Sequence, residues 1–149
     1  MNMASPSPQI DSHREQAEIY NGEALCNQKA RELFDKFHLP KGLLPMNDLN
    51  EMGFNSITGF LWLRQQKKSE FRFKSIGKTV AYETEVTAFV EDRRMRRLTG
   101  IKTKEMMIWI TISDISIDDN DPTKITFSSS SGLSKTFPVE AFEDEEQSK

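Results

Sequence analysis

One cysteine and two histidines are the whole supply of thiols, soft metal ligands and neutral-pH bases in this sequence. A lone Cys26 can form no internal disulfide and cannot build a cysteine zinc site, so neither kind of staple organises the fold. It lies beside Leu25 in a helical pattern and reads as a structural thiol. His13 and His38 both fall in the N-terminal part, and no G-x-S-x-G elbow exists for either to serve. Ser129-Ser130-Ser131-Gly132 follows a strand pattern without opening a helix, so it reads as a hairpin tip. On these grounds no catalytic residue, metal ligand or cofactor is assigned, and the sequence weighs against an enzyme. No apolar run is long enough for a transmembrane segment. The stretch MNMASPSPQIDSHREQ lacks the basic start and apolar core of a secretion signal, so the expected location is cytoplasmic. No feature fixes an oligomeric state, and the working expectation is a monomer.

What is present is enough for a core. Hydrophobic residues make up 36% and charged residues 29%, with ten Phe and two Trp, a balance that favours a folded chain over a disordered one. One domain is expected over residues 12–142, between a disordered Ser/Pro tail at 1–11 and an acidic tail at 143–149. Asp11 or Ser12 is positioned to cap a short helix running toward Tyr20. From Glu23 to about Phe37, Ala24, Leu25, Ala30, Leu33, Phe34 and Phe37 recur at spacings of three and four, giving a helix with one apolar stripe. Pro40 ends it, and Leu39-Pro40-Lys41-Gly42-Leu43-Leu44-Pro45 follows as a stiff apolar connector.

After Pro45 the period becomes strand-like. Asp48 to Phe54 and Phe60-Leu61-Trp62-Leu63 flank a turn at Asn55 to Gly59, and Phe71 and Phe73 alternate with Arg72 and Lys74. Val80, Tyr82, Val86, Ala88 and Val90 then share a face opposite Glu83, Glu85 and Thr87. Leu98 to Ile117 contains the longest apolar and β-branched run, so Met106 to Ile112 reads as a central strand buried on both faces, with Gly100 allowing a bend or bulge before it. A turn at Asp118 to Pro122 and a last hairpin complete seven or eight strands. The fold class expected is mainly β: a small closed or partly open antiparallel β-barrel with one or two N-terminal helices.

Three stretches taken together carry a family likeness: the connector from Leu39 to Pro45, Thr58-Gly59-Phe60-Leu61-Trp62-Leu63, and Leu98-Thr99-Gly100-Ile101-Lys102-Thr103-Lys104 running into Met107-Ile108-Trp109-Ile110. Over roughly residues 14–142 the chain resembles the plant family known as domain of unknown function 538. The resemblance implies a plant source and a β-barrel-like fold. It also implies a comparison with the lipid-binding bactericidal permeability-increasing proteins, and it brings the chlorophyll-binding and ester-hydrolysing roles suggested for the family. No catalytic motif comes with it.

Charge is distributed unevenly. Residues 64–104 hold twelve Lys or Arg against five acids, a local excess of +7 in a chain of net charge −3. Arg93, Arg94, Arg96 and Arg97 crowd one hairpin and Lys102 and Lys104 follow, so six cations are expected to share a surface that suits an anionic membrane, the competing reading being that they only blunt a strand edge. No recognition helix, RNA-binding strand motif or exposed aromatic series accompanies them, which argues against nucleic acid. Asp118, Asp119, Asn120 and Asp121 lack the spacing of a calcium loop and read as a solvated turn. Glu83 and Glu85 read as solvent-facing. Trp62, Phe71, Phe73 and Trp109 are the expected lining of an interior site for an apolar or amphiphilic small molecule such as a lipid. That non-enzymatic binding role is the main expectation. The alternatives are an esterase-like or chlorophyll-modifying hydrolase and an interaction module that docks anionic partners through the basic hairpin.

Overall fold

Period-two alternation puts Val80, Tyr82, Val86, Ala88 and Val90 on one face of the strand Lys78–Glu91, and all five are buried. The computed structural model describes residues 7–143; the rest of the Ser/Pro tail expected at 1–11 and of the acidic tail expected at 143–149 lies outside them. Among the described residues the elements are α1 (Pro8–His13), β1 (Glu18–Asn21), α2 (Glu23–Lys36), β2 (Leu49–Asn55), β3 (Phe60–Gln65), β4 (Ser69–Phe73), β5 (Lys78–Glu91), β6 (Arg94–Glu105), β7 (Ile108–Ile117), β8 (Lys124–Ser129) and β9 (Ser134–Pro138), then a 3-10 turn at Val139–Phe142. The nine strands form one antiparallel sheet in the order β1-β2-β3-β5-β6-β7-β8-β9, with β4 also paired to β5. The sheet is mainly β as expected, but β1 and β9 remain edges and the hydrogen-bonded ladder does not close.

The apolar stripe of α2 explains how the curled sheet is filled. Cys26, Ala30, Leu33 and Phe34 are buried with Leu39, Leu43 and Leu44 of the connector against the inner faces of β2, β3 and β5 to β8. The connector also ties down the margins: Arg93 N–H donates to Phe37 O at 2.7 Å, and Gly42 N–H donates to Phe142 O at 2.8 Å. A helix and its proline-stiffened tail thus span what strand pairing leaves open.

At the N-terminus the chain departs from the sequence reading. Ser7 is the cap of α1, its Oγ accepting Ile10 N–H at 3.4 Å with Pro8 at the first helical position. A Ser-Pro pair read as tail composition is therefore a helix start. The helix ends at His13, and the segment expected to continue it forms β1, because Ile19 and Tyr20 gain a pairing edge on β2 that outweighs local propensity. Ile10 is fully buried with Phe60 and Trp62 in a second cluster on the outer face, so β3 is covered on both sides.

The largest correction concerns Leu98 to Ile117. It is a hairpin of β6 and β7, with Lys104 opposite Trp109 and Glu105 opposite Ile108. Met106 and Met107 are its two-residue turn and are 93% and 86% exposed, while Ile108 is 65% exposed. Only from Ile112 onward is β7 part of the core. Apolar composition measured burial correctly for Ile112, Ile115 and Ile117 and wrongly for the tip, since a run of hydrophobic residues carries no signal for where a chain reverses. Gly100 behaves as expected: its φ of +83° sits at an irregular stretch of the β5–β6 register, and a Cβ there would lie 2.3 Å from Glu85 O.

Candidate functional site

The concave side of the β6–β7 hairpin forms the roof of an apolar cleft of about 220 Å³. Strand parity decides what faces it. Thr103 pairs with Ile110, so Ile110 and Ile112 point inward with Thr103 and Glu105, and meet Val80, Phe127, Phe137 and Phe142 from below. Met106 and Leu133 stand at the mouth, and Leu133 is 58% exposed. The three phenylalanines pack edge to face or tilted, with centroids 5.2 Å apart for Phe127 and Phe142 and 5.9 Å for Phe127 and Phe137.

The rim is charged. Glu105 Oε1 accepts from Lys78 Nζ at 2.8 Å and lies 3.6 Å from Lys135 Nζ. The Glu105 and Lys78 side chains are only 15% and 25% exposed, so the pair is shielded beyond a typical surface bridge. Two ammonium groups on one carboxylate leave a net positive charge and free N–H donors at the edge of an apolar space.

The turn at the tip is costly. Met106 and Met107 have φ of 48° and 73°, the left-handed pair that a two-residue hairpin turn requires and that Asn-Gly ordinarily fills. A side chain in this region costs on the order of 1 kcal/mol each. Burial recovers none of it, since both methionines point into solvent.

A family model described as a protein of unknown function, DUF538, matches residues 30–143. The chain belongs to this family. No match is found among curated proteins or among solved structures. The DUF538 region spans the connector, eight of the nine strands and every residue that lines the cleft.

The four expected ligand residues of this DUF538 chain do not share one interior. Trp62 is fully buried on the opposite face, where its Nε1 donates to Glu51 Oε2 at 2.7 Å and Arg14 stacks over its ring at 5.4 Å. Phe73 is buried behind the cleft floor with its ring 4.7 Å from Phe142, and half-buried Phe71 packs on Phe73. Trp109 is 39% exposed and lies on the outer face of the hairpin beneath Lys104 Nζ at 5.7 Å. A strand alternates faces, so residues chosen for size from both parities were bound to separate.

The six cations separate as well. Lys102 and Lys104 lie near the tip, whereas Arg94 is at the other end of β6, ten residues and about 33 Å away at ~3.3 Å per residue. Each arginine of that end has a partner: Arg94 and Asp114 at 3.8 Å, Arg96 and Glu91 at 3.6 Å, Arg93 and Asp92 at 3.8 Å, and Arg97 over the Phe89 ring. Glu83 meets Lys68 at 3.6 Å, and Glu85 meets Arg64 at 3.9 Å while accepting the Ser7 N–H, so their face is less open than expected. Thr87, also placed on that face, is buried and bonded to Thr99.

Ser129 and Ser134 line the cleft, but its hydroxyls have no imidazole beside them. His13 stacks on Phe60 at 4.3 Å, and His38 meets Asp92 Oδ1 at 2.6 Å. In the acidic turn Asp118 accepts from Asn120 N–H and Asp121 from Thr123, and the Thr123 bonds hold the Asp121 carboxyl below its usual range. Lys78, Glu105 and Lys135 escaped the sequence reading because they come from three strands. The signal that was available is a mirror pattern about Met106-Met107, with Thr103 and Glu105 on one side matching Ile108 and Ile110 on the other.

Proposed function

We propose that this protein binds a small amphiphile, an apolar chain or ring ending in a carboxylate or phosphate, in the cleft beneath the β6–β7 hairpin. The observation that carries the reading is one apolar cavity with Lys78 and Lys135 at its edge. The apolar end sits among Ile110, Ile112, Phe127 and Phe142, and the anion takes ammonium donors that Glu105 leaves over. A cavity of about 150 Å³ accommodates benzene, and drug-sized ligands occupy roughly 300 Å³ or more, so about 220 Å³ suits one end of a chain with the remainder running out past Met106 and Leu133. On this reading the curled sheet acts as a partly open barrel and the protein works as a monomer in the cytoplasm of a plant cell.

The test is titration with a pyrene-labelled fatty acid. Saturable uptake near one probe per chain is expected. Ile110→Trp, which fills the cleft, should abolish it, and Lys78→Gln with Lys135→Gln should weaken the acid by about tenfold or more, as loss of a charge-assisted bond worth ~1.5–3 kcal/mol requires. The matching pyrene alcohol should be little affected by the lysine changes. Uptake seen only as the chain unfolds, or unchanged in Ile110→Trp, refutes a native site. A hydrolase reading has less support, since neither histidine lies beside the cleft hydroxyls.

A further inference from the structure

We infer that the end of the molecule carrying the β6–β7 tip docks onto an anionic lipid bilayer, with Met106, Met107 and Ile108 entering the headgroup boundary. The inference is independent of the cleft reading.

The topology brings three turns to this end. Phe73 pairs with Lys78, Glu105 with Ile108, and Ser128 with Ser134, so the turns after β4, β6 and β8 all emerge on the same side. Ile112 is the last β7 residue paired to β8, which leaves Ile108 to Thr111 overhanging β8 by about 13 Å at ~3.3 Å per residue. The part that projects is the apolar part: Met106, Met107 and Ile108 are 93%, 86% and 65% exposed, with Leu133 on the neighbouring turn. Trp109 flanks them, half-exposed beneath Lys104, in the amphipathic setting that tryptophan occupies at membrane interfaces.

Charge selects the partner. Residues 72–80, 102–111 and 129–135, which make up this end, carry Arg72, Lys74, Lys78, Lys102, Lys104 and Lys135 against Glu105 alone, whereas the chain as a whole is −3. A collar of lysines behind an apolar point complements an anionic headgroup layer over an apolar interior. The methionine turn supports the same conclusion. Two side chains are held in left-handed backbone while staying 93% and 86% exposed, a local strain of the kind kept where a surface meets a partner.

Co-sedimentation tests this with vesicles of phosphatidylcholine containing phosphatidylserine, against phosphatidylcholine alone. The full chain should bind the anionic vesicles and release as salt rises. Met107→Ser with Ile108→Ser should lower partitioning about tenfold per residue removed from the apolar boundary. Lys102→Gln with Lys104→Gln should lower it about fivefold per charge. Both pairs are exposed or rim positions, and unchanged circular dichroism checks the fold. Gln at Arg93, Arg94, Arg96 and Arg97 together should leave binding intact. Ile110→Trp should also bind vesicles as the parent does, which separates docking from cleft occupancy. Binding that survives the tip changes, or that is lost with the four arginines, overturns the proposal. So does a tip-dependent dimer in size-exclusion chromatography with no vesicle binding, which assigns the tip to a second copy of this chain.

Discussion

Gly53 and Trp62 are cross-strand partners on β2 and β3, and the indole occupies the space where a Cβ on residue 53 would stand, 2.1 Å from Cζ2. The ring cannot step aside freely, because Nε1–H is bonded to Glu51 and the Arg14 guanidinium lies over it. Gly53→Ala is therefore expected to lower unfolding free energy in urea by about 3 kcal/mol, the upper part of the range for overpacking a filled site. Gly53→Ala should cost less in a Trp62→Leu background than in the parent, and an equal cost in both backgrounds would show that the ring is not the obstacle.

Cys26 is fully buried, and its Sγ–H donates to Tyr20 O at 3.3 Å. Burial, aided by the Glu51 charge, pushes the thiol above its ordinary value of 9.0. The folded chain thus holds this proton more tightly than the unfolded chain, so the stabilisation is complete below pH about 9 and is lost as pH rises through the folded value. Cys26→Ala should cost about 1 kcal/mol at neutral pH and flatten the alkaline limb of the stability curve. Alkylation of the parent by iodoacetamide should follow global unfolding, and rapid labelling of native protein would contradict this burial.

Replacing Met106-Met107 by Asn-Gly gives the turn residues that accept its left-handed geometry. The variant should be more stable than the parent by about 1–2 kcal/mol, with Tm raised by several degrees, and should lose vesicle binding. A lower Tm would mean that the methionines contribute contacts to the folded hairpin.

The two tryptophans should separate cleanly in acrylamide quenching. Trp62 is fully buried and Trp109 is 39% exposed, so the accessible fraction of emission should vanish in Trp109→Phe and persist in Trp62→Phe. With brominated anionic vesicles the same fraction should be quenched. Loss of the accessible component in Trp62→Phe would reverse the assignment of the two faces.

Strand existence and inward parity were legible where apolar and polar residues alternate: Val80, Tyr82, Val86, Ala88 and Val90 were read from alternation alone. Helix α2 was legible from its three-and-four spacing, though it stops at Lys36 through a left-handed His38 and a Leu39 N–H bonded back to Phe34 O, ahead of Pro40. The hairpin tip was not, because Met106 to Ile108 are apolar residues placed against the hydrophobic pattern, and pattern reading assumes that apolar means buried. The cleft was not, because Lys78 and Glu105 meet through the pairing of β5 with β6 while Lys135 reaches them from β9, a partner of β8, only through the curl of the sheet, contacts that sequence neighbours do not announce. A functional surface that departs from the local rules is where such reading is expected to fail.

Helix α1 has a consequence for where this domain can be cut. The family match begins at residue 30, yet Ile10 seals Phe60 and Trp62, Ser7 bonds to Glu85, and β1 covers the edge of β2. A recombinant fragment trimmed to the matched boundaries would carry an indole and a phenyl ring on a wet outer wall and an unpaired ladder edge beside them. The covered outer wall thus draws on residues upstream of the matched region, and helix α1 is that wall's own cladding.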